Sequence, residues 1–283
     1  MMVSPARAAS AALLAVCVGV ALTFLALPVV ALFTQVPLGD LPGLLGRPAV
    51  RAAIGVTVRT NAIANALILL LGTPTAFVLA TRRFPGRALV VTLVELPLVL
   101  PPAVAGIGLL AAFGVGGLFG SGLSDAGIVL PFTQWAVVFA VAFVASPFYV
   151  RAAITAFESV DSTLVDAART LGASPARTFR RVWLPLAASG LAAGWVLAFA
   201  RGVGEFGATI IFAGNVRGET QTLTLAIYEQ LDTSFDVAVS IGILIVVLSG
   251  AVLLSYKLLS SWKRSSSTSP SPSPFARMSS VSS

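Results

Sequence analysis

The side chains able to do chemistry are few. The 283 residues include no histidine, one cysteine (Cys17, inside an apolar run) and only two lysines, Lys257 and Lys263. Zinc, haem and iron–sulfur centres therefore lack ligands, a disulfide framework lacks a second thiol, and histidine-based catalysis is excluded. Neither lysine follows a glycine, so no phosphate-cradling G-x-x-x-x-G-K-[ST] loop exists. What remains is charge where charge is expensive. Glu95, Arg201 and Glu205 fall within otherwise apolar stretches, and a charge at bilayer depth costs at least about 2.5–3.5 kcal/mol. Such groups must face protein or water, which makes them candidates for lining or gating a pathway. Arg201 and Glu205 are four apart, so one helix face carries both, as a structural pair or as part of that pathway. Glu95 has the same two readings, with a hydrogen bond to a neighbouring helix as the structural one. Pro97, Pro101 and Pro102 must kink or interrupt their helix, and freed carbonyls at membrane depth favour a cavity. Asn61 and Asn65 suit hydrogen bonds between helices.

The elements that position these groups are apolar helices. Of the residues 57% are hydrophobic and 10% charged, against roughly 25% charged in a soluble domain. Six stretches reach the ~20 residues needed to cross a bilayer: 11–33, 61–80, 88–112, 135–156, 186–213 and 237–259. The first follows Arg7 but exceeds the 7–15 residues of a signal-peptide core, so it reads as an uncleaved span. The expectation is an all-α, multi-pass membrane protein. Residues 1–10 form one terminus, 11–260 the six-span domain, and 261–283 a Ser/Pro-rich tail too polar to bury a core.

Six crossings place both termini on one side. Of the 18 basic residues, Arg47, Arg51, Arg59 and Arg217 are assigned to the opposite side, Arg201 lies in a span, and the remaining 13 share the side of the termini. Positive residues mark the cytoplasmic side, so both ends should be cytoplasmic. Acidic residues leave the outer face near charge −2 by the same assignment, the wrong sign for steering a free anion. An anionic substrate would need a carrier.

The loop 157–183 reads as two short helices. Asp161 suits an N-cap, 162–171 lacks Gly and Pro, and Gly172 suits the left-handed position beyond the helix end. Ser174 caps a second helix with Pro175 in its first turn, and Pro185 marks entry to the fifth span. Leu164, Val165, Ala168 and Leu171 share one narrow apolar face, with Ala167 and Ala168 its small members. Arg177, Arg180 and Arg181 share another, suited to lipid headgroups or an acidic partner. From periodicity alone the loop could equally pack on its own helices.

Within it, Asp166-Ala167-Ala168-Arg169-Thr170-Leu171-Gly172, followed after nine residues by Val182-Trp183-Leu184-Pro185, resembles the EAA signature of membrane subunits of ATP-binding cassette importers. Asp replaces the usual Glu and Val the usual Ile. The stretch 97–106, Pro97 to Gly106, resembles the third span of the molybdate and sulfate branch. The segment 201–209, from Arg201 through Glu205 to Thr209, with 220–223 (Thr-Gln-Thr-Leu), looks most like molybdate permeases. The resemblance covers roughly residues 10–260. It implies a permease subunit that catalyses no covalent chemistry and contacts an ATPase through Leu164, Asp166, Ala167, Ala168, Leu171 and Gly172. It implies pathway candidates Glu95, Pro101, Pro102, Arg201, Glu205 and Thr209, and no cofactor or metal in this chain, since ATP and Mg would be bound by the partner. The implied partners are two copies of that ATPase, an extracytoplasmic oxyanion-binding protein, a second copy of this chain and the bilayer, with no nucleic acid. Sulfate or tungstate importers, a self-sufficient secondary transporter or channel, and a scaffold without a pathway are the alternatives; the transporter would need more ionisable groups at the midplane than exist here.

Overall fold

A computed structural model describes residues 5–266, with side-chain surroundings for 12–258. All regular structure among them is helical: α1 Pro5–Gln35, α2 Leu41–Leu45, α3 Pro48–Thr81, α4 Arg87–Val99, α5 Pro102–Phe113, α6 Gly120–Asp125, α7 Gln134–Glu158, α8 Ser162–Thr170, α9 Pro175–Thr178, α10 Leu184–Val203, α11 Gly207–Phe212, α12 Leu223–Gln230 and α13 Phe235–Ser266. Five helices are long and apolar enough to span a membrane, and α4 with α5 makes a sixth, broken span whose halves differ in direction by 118°. The tail expected from 261 lies outside the described residues except for the end of α13, which runs to Ser266.

Packing centres on α7, whose small inward residues Ala136, Ala140, Ala145 and Ala153 are fully buried and let neighbouring backbones approach. Helix α3 lies parallel to α7: Arg59 bonds Gln134, Thr73 bonds Tyr149 at 2.6 Å, and Phe77 stacks edge-on to Phe157. Helix α10 runs antiparallel, since Gly190 meets Ala156, Gly194 meets Ala152 and Gly202 meets Val141. Val36, after α1, packs on Val239 and Ile243 of α13, and Tyr256 of α13 reaches the Ser189 carbonyl. The start of α1 and the end of α13 therefore lie at the end of the bundle that carries α8, as an even number of crossings requires.

Several boundaries differ from expectation for physical reasons. Helix α3 starts at Pro48, not at 61, because Pro at the first position needs no donor, and it runs on through Pro74 to Thr81. Arg51 and Arg59 thus belong to a helix of 34 residues, about 51 Å long at 1.5 Å per residue. Arg151, counted by sequence with the basic residues on the side of the termini, sits within α7. The third span is interrupted at Leu100 and Pro101, both extended (ψ 130° and 136°), as residues preceding proline tend to be. The fifth span ends at Val203 rather than 213 and resumes as α11. The second loop helix is no separate element. It continues through a wide π turn, Phe179–Trp183, into α10, and the turn absorbs the missing donor of Pro185.

Candidate functional site

The loop carrying α8 is built from its caps. The Asp161 carboxylate accepts from Thr163 N at 2.9 Å, and hydrogen bonding from Thr163 holds its carboxyl below the usual carboxylate range. Gly172 has φ +79°, the left-handed conformation expected of it, and Ser174 Oγ accepts from Arg177 N. The expected apolar face is divided. Val165 is buried at 3% exposure and joins the cluster of Phe157, Ala156 and Ala187, whereas Leu164 is 49% and Leu171 88% exposed. Asp166, Ala167 and Gly172 are exposed too, and Ala168 lies between the two sides. One residue thus ties α8 to the bundle while Leu164 and Leu171, two turns apart, point away. Below them Phe77, Phe157, Phe179 and Trp183 pack mutually, with centroids 4.8–6.3 Å apart. Three spans meet the loop through those four rings.

The break between α4 and α5 meets the segment that joins α10 to α11. A Cβ on Gly207 would fall 2.7 Å from Pro102 Cβ, and one on Gly106 would fall 2.9 Å from the Ala208 carbonyl, so only glycine admits this contact. Gly202 is equally tight against Val141 and Asn61. Gly204 is not crowded; it ends α10. Glu205 occupies the gap at 2% exposure. Its Oε1 accepts from Ala208 N at 2.7 Å, its carbonyl accepts from Thr224 Oγ1 at 2.6 Å, and its Oε2 lies 2.8 Å from Arg201 Nη1. The expected pair is therefore present but is not carried on one continuous helix face. Arg201 sits in the last turn of α10 and Glu205 ahead of α11, where each complements the local helix dipole. Thr209 of α11 is fully buried, and its hydroxyl has no protein partner. Pro101, Pro102, Arg201, Glu205 and Thr209 are thus gathered at one place. Asn61 and Asn65 are not glue between helices: Asn65 Nδ2 donates to the Asn61 carbonyl and side-chain oxygens at 2.9 and 2.7 Å within α3.

Glu95 stands apart from the breaks. Its Oε1 lies 3.6 Å from Arg151 Nε, while Arg87 and Glu158 pair at 2.8 Å at the α8 end of the same two helices. Arg151 was not singled out by sequence; the available signal was an arginine inside an apolar stretch ending at Glu158. Beside it a cavity of about 590 Å³ opens between α4, α7 and α10.

At the far end, residues 214–222 fold back under α12. Glu229 accepts from Arg217 Nε at 2.8 Å and from its Nη2, and Gln221 Nε2 donates to the other carboxylate oxygen. The bonds from Arg217 above all, then those from Gln221 and Asn215, hold the Glu229 carboxyl below its ordinary value against partial burial. A lowered folded value contributes stability above the ordinary carboxylate range, and that stability is lost as pH falls through the folded value. Segment 216–230 should therefore keep its amide protection above the ordinary carboxylate value and lose it progressively as pH falls from there toward the folded value. Intrinsic-rate-corrected hydrogen exchange checks this, and loss of protection already well above pH 4.5 would contradict it.

Residues 69–265 match the family of binding-protein-dependent transport system inner membrane components. The molybdenum transport system permease protein ModB of Mycobacterium tuberculosis is 43% identical over 235 residues, covering 82% of this chain and 88% of that protein. The sulfate transport system permease protein CysT of Salmonella typhimurium is 37% identical over 211 residues, 75% of this chain and 76% of that protein. A solved bacterial ABC transporter that imports the acidic polysaccharide alginate superposes with TM-score 0.71 at 18% identity, covering 88% of this chain and 93% of that one, a likeness of fold. The match spans α8 and both breaks, and the chain belongs to the family of binding-protein-dependent transport system inner membrane components.

Proposed function

We propose that this chain is the membrane subunit of an ATP-driven oxyanion importer and that its substrate is molybdate. The observation that carries this reading is a capped α8 with Leu164 and Leu171 exposed, in a chain 43% identical to molybdenum permeases. Leu164 and Leu171 dock into a separate ATPase subunit, present in two copies, which binds ATP and Mg. A second copy of this chain completes the pathway, and an extracytoplasmic oxyanion-binding protein supplies the substrate. The breaks at Pro101–Pro102 and 204–206 line or gate that pathway. A sulfate substrate is the second reading, favoured by the 37% identity to a sulfate permease.

Uptake into proteoliposomes holding the complete complex tests the substrate. Molybdate should saturate it, tungstate, of nearly the same size and charge, should compete strongly, and sulfate weakly. Sulfate competing as well as molybdate would move the chain to the sulfate reading.

The α8 end faces the cytoplasm in this proposal, supported by Arg82, Arg83, Arg169, Arg177, Arg180 and Arg181. With Cys17 replaced by serine, a cysteine at the exposed position 219 should react with an impermeant thiol reagent in intact cells, and one at 176 should not. Labelling at 176 alone would reverse the orientation.

A further inference from the structure

We propose that Arg151 is an anion-contacting residue in the α8-end half of the pathway, and that Glu95 is the counter-ion it exchanges for the passing oxyanion. This rests on the importer reading and adds to it the group that meets the substrate beyond the breaks. Two arginines lie well inside the α4, α7 and α10 layer, and their surroundings differ. Arg201 is held 2.8 Å from a carboxylate only 1% exposed, with its own side chain 27% exposed. Arg151 is 67% exposed and stands 3.6 Å from a carboxylate that is itself 36% exposed, a contact too long for a hydrogen bond. Arg201 is locked in place, and Arg151 is free to change partner.

Depth and setting indicate what the new partner is. Arg151 precedes Glu158 by seven residues, which puts it about 10 Å up from the helix end. An exposed arginine and an exposed carboxylate at that depth cannot face hydrocarbon without a penalty of several kcal/mol, so this face meets water or protein. The adjoining cavity of about 590 Å³ would hold many waters, each taking about 30 Å³, and so has room for a hydrated anion. Arg151 itself, Thr155, Ser159 and Ser189 form its polar side, and Leu98 and Phe148 belong to its larger apolar side. A guanidinium fork suits the paired oxygens of a tetrahedral dianion. A pathway site must also release its ion, and a carboxylate within reach of the same guanidinium competes for it. Two turns closer to the α8 end the tight Arg87–Glu158 pair joins the same helices with the opposite polarity, so the helices stay together when the looser pair opens.

The test uses the complete complex in proteoliposomes with molybdate, and reads molybdate moved per ATP hydrolysed. Arg151→Gln should lower that ratio at least about tenfold, and Arg151→Lys, which keeps the charge, by less than about fivefold. The doubly neutral Glu95→Gln/Arg151→Gln chain has no unpaired charge left and should assemble. It should remain as poor as Arg151→Gln. A ratio restored by the double change would show that the pair is only structural, and a normal ratio in Arg151→Gln would equally overturn the proposal. A wild-type complex that moves no oxyanion would instead defeat the importer reading itself.

Discussion

Leu171→Asp should lower both ATP-driven uptake and the stimulation of the ATPase at least about tenfold, because burying one leucine is worth about 1.5–3 kcal/mol and a buried, unpaired carboxylate adds to the loss. The side chain is 88% exposed and supports nothing within the chain. The variant should therefore insert and fold as the wild type does, with surface changes of this kind usually within about 0.5 kcal/mol. Leu164→Asp should act in the same direction more weakly, at 49% exposure. Val165→Asp is a different experiment: at 3% exposure it would place a charge in the bundle and prevent assembly. Gly172→Val tests the cap rather than the face. A Cβ there would meet nothing within 4 Å, yet φ is +79°, so the penalty is conformational, about 1–3 kcal/mol for a residue other than glycine. Copurification of the ATPase subunit together with uptake reads all four variants. Wild-type values in Leu171→Asp and Gly172→Val together would remove α8 from the coupling role.

Legibility in the sequence followed the range of the interaction. The α8 caps were readable because Asp161, Gly172, Ser174 and Pro175 act within three residues of themselves. The Pro101–Pro102 break was readable for the same reason, since proline removes its own donor. The break at 204–206 contains no proline, and three nearby glycines are consistent with either close packing or unwinding. Structure divides them: Gly202 and Gly207 pack, and Gly204 ends a helix. The orientation of α8 was also hidden. A stripe of Leu164, Val165, Ala168 and Leu171 names one face, but only the aromatic cluster beneath determines that Val165 turns inward. Arg151 and Glu95 belong to different spans, and no local pattern announces that they meet.

Loss of the Glu205 carboxylate should be the most damaging single change near the breaks. Glu205→Ala would leave Arg201 at membrane depth without its partner, remove the acceptor for Ala208 N and open a void beside the Pro102–Gly207 contact. Removing one member of a buried pair costs about 3–5 kcal/mol, a large part of the 5–15 kcal/mol typical of a folded domain. The variant should be recovered poorly and melt well below the wild type. Glu205→Gln keeps an acceptor for Ala208 N but not the charge, so it should fall between them. The double variant Arg201→Gln/Glu205→Gln has no charge left to strand and should regain most of the stability lost in Glu205→Ala. Thermal midpoints of the purified chain report this order, and uptake by the assembled complex then separates the two roles of the pair. If the double variant is stable and transports, the pair is a clamp that holds the end of α10 against the start of α11. Stability without transport would place its charges in the path of the ion. Wild-type stability in Glu205→Ala would show that neither the pair nor the cap holds the breaks in contact.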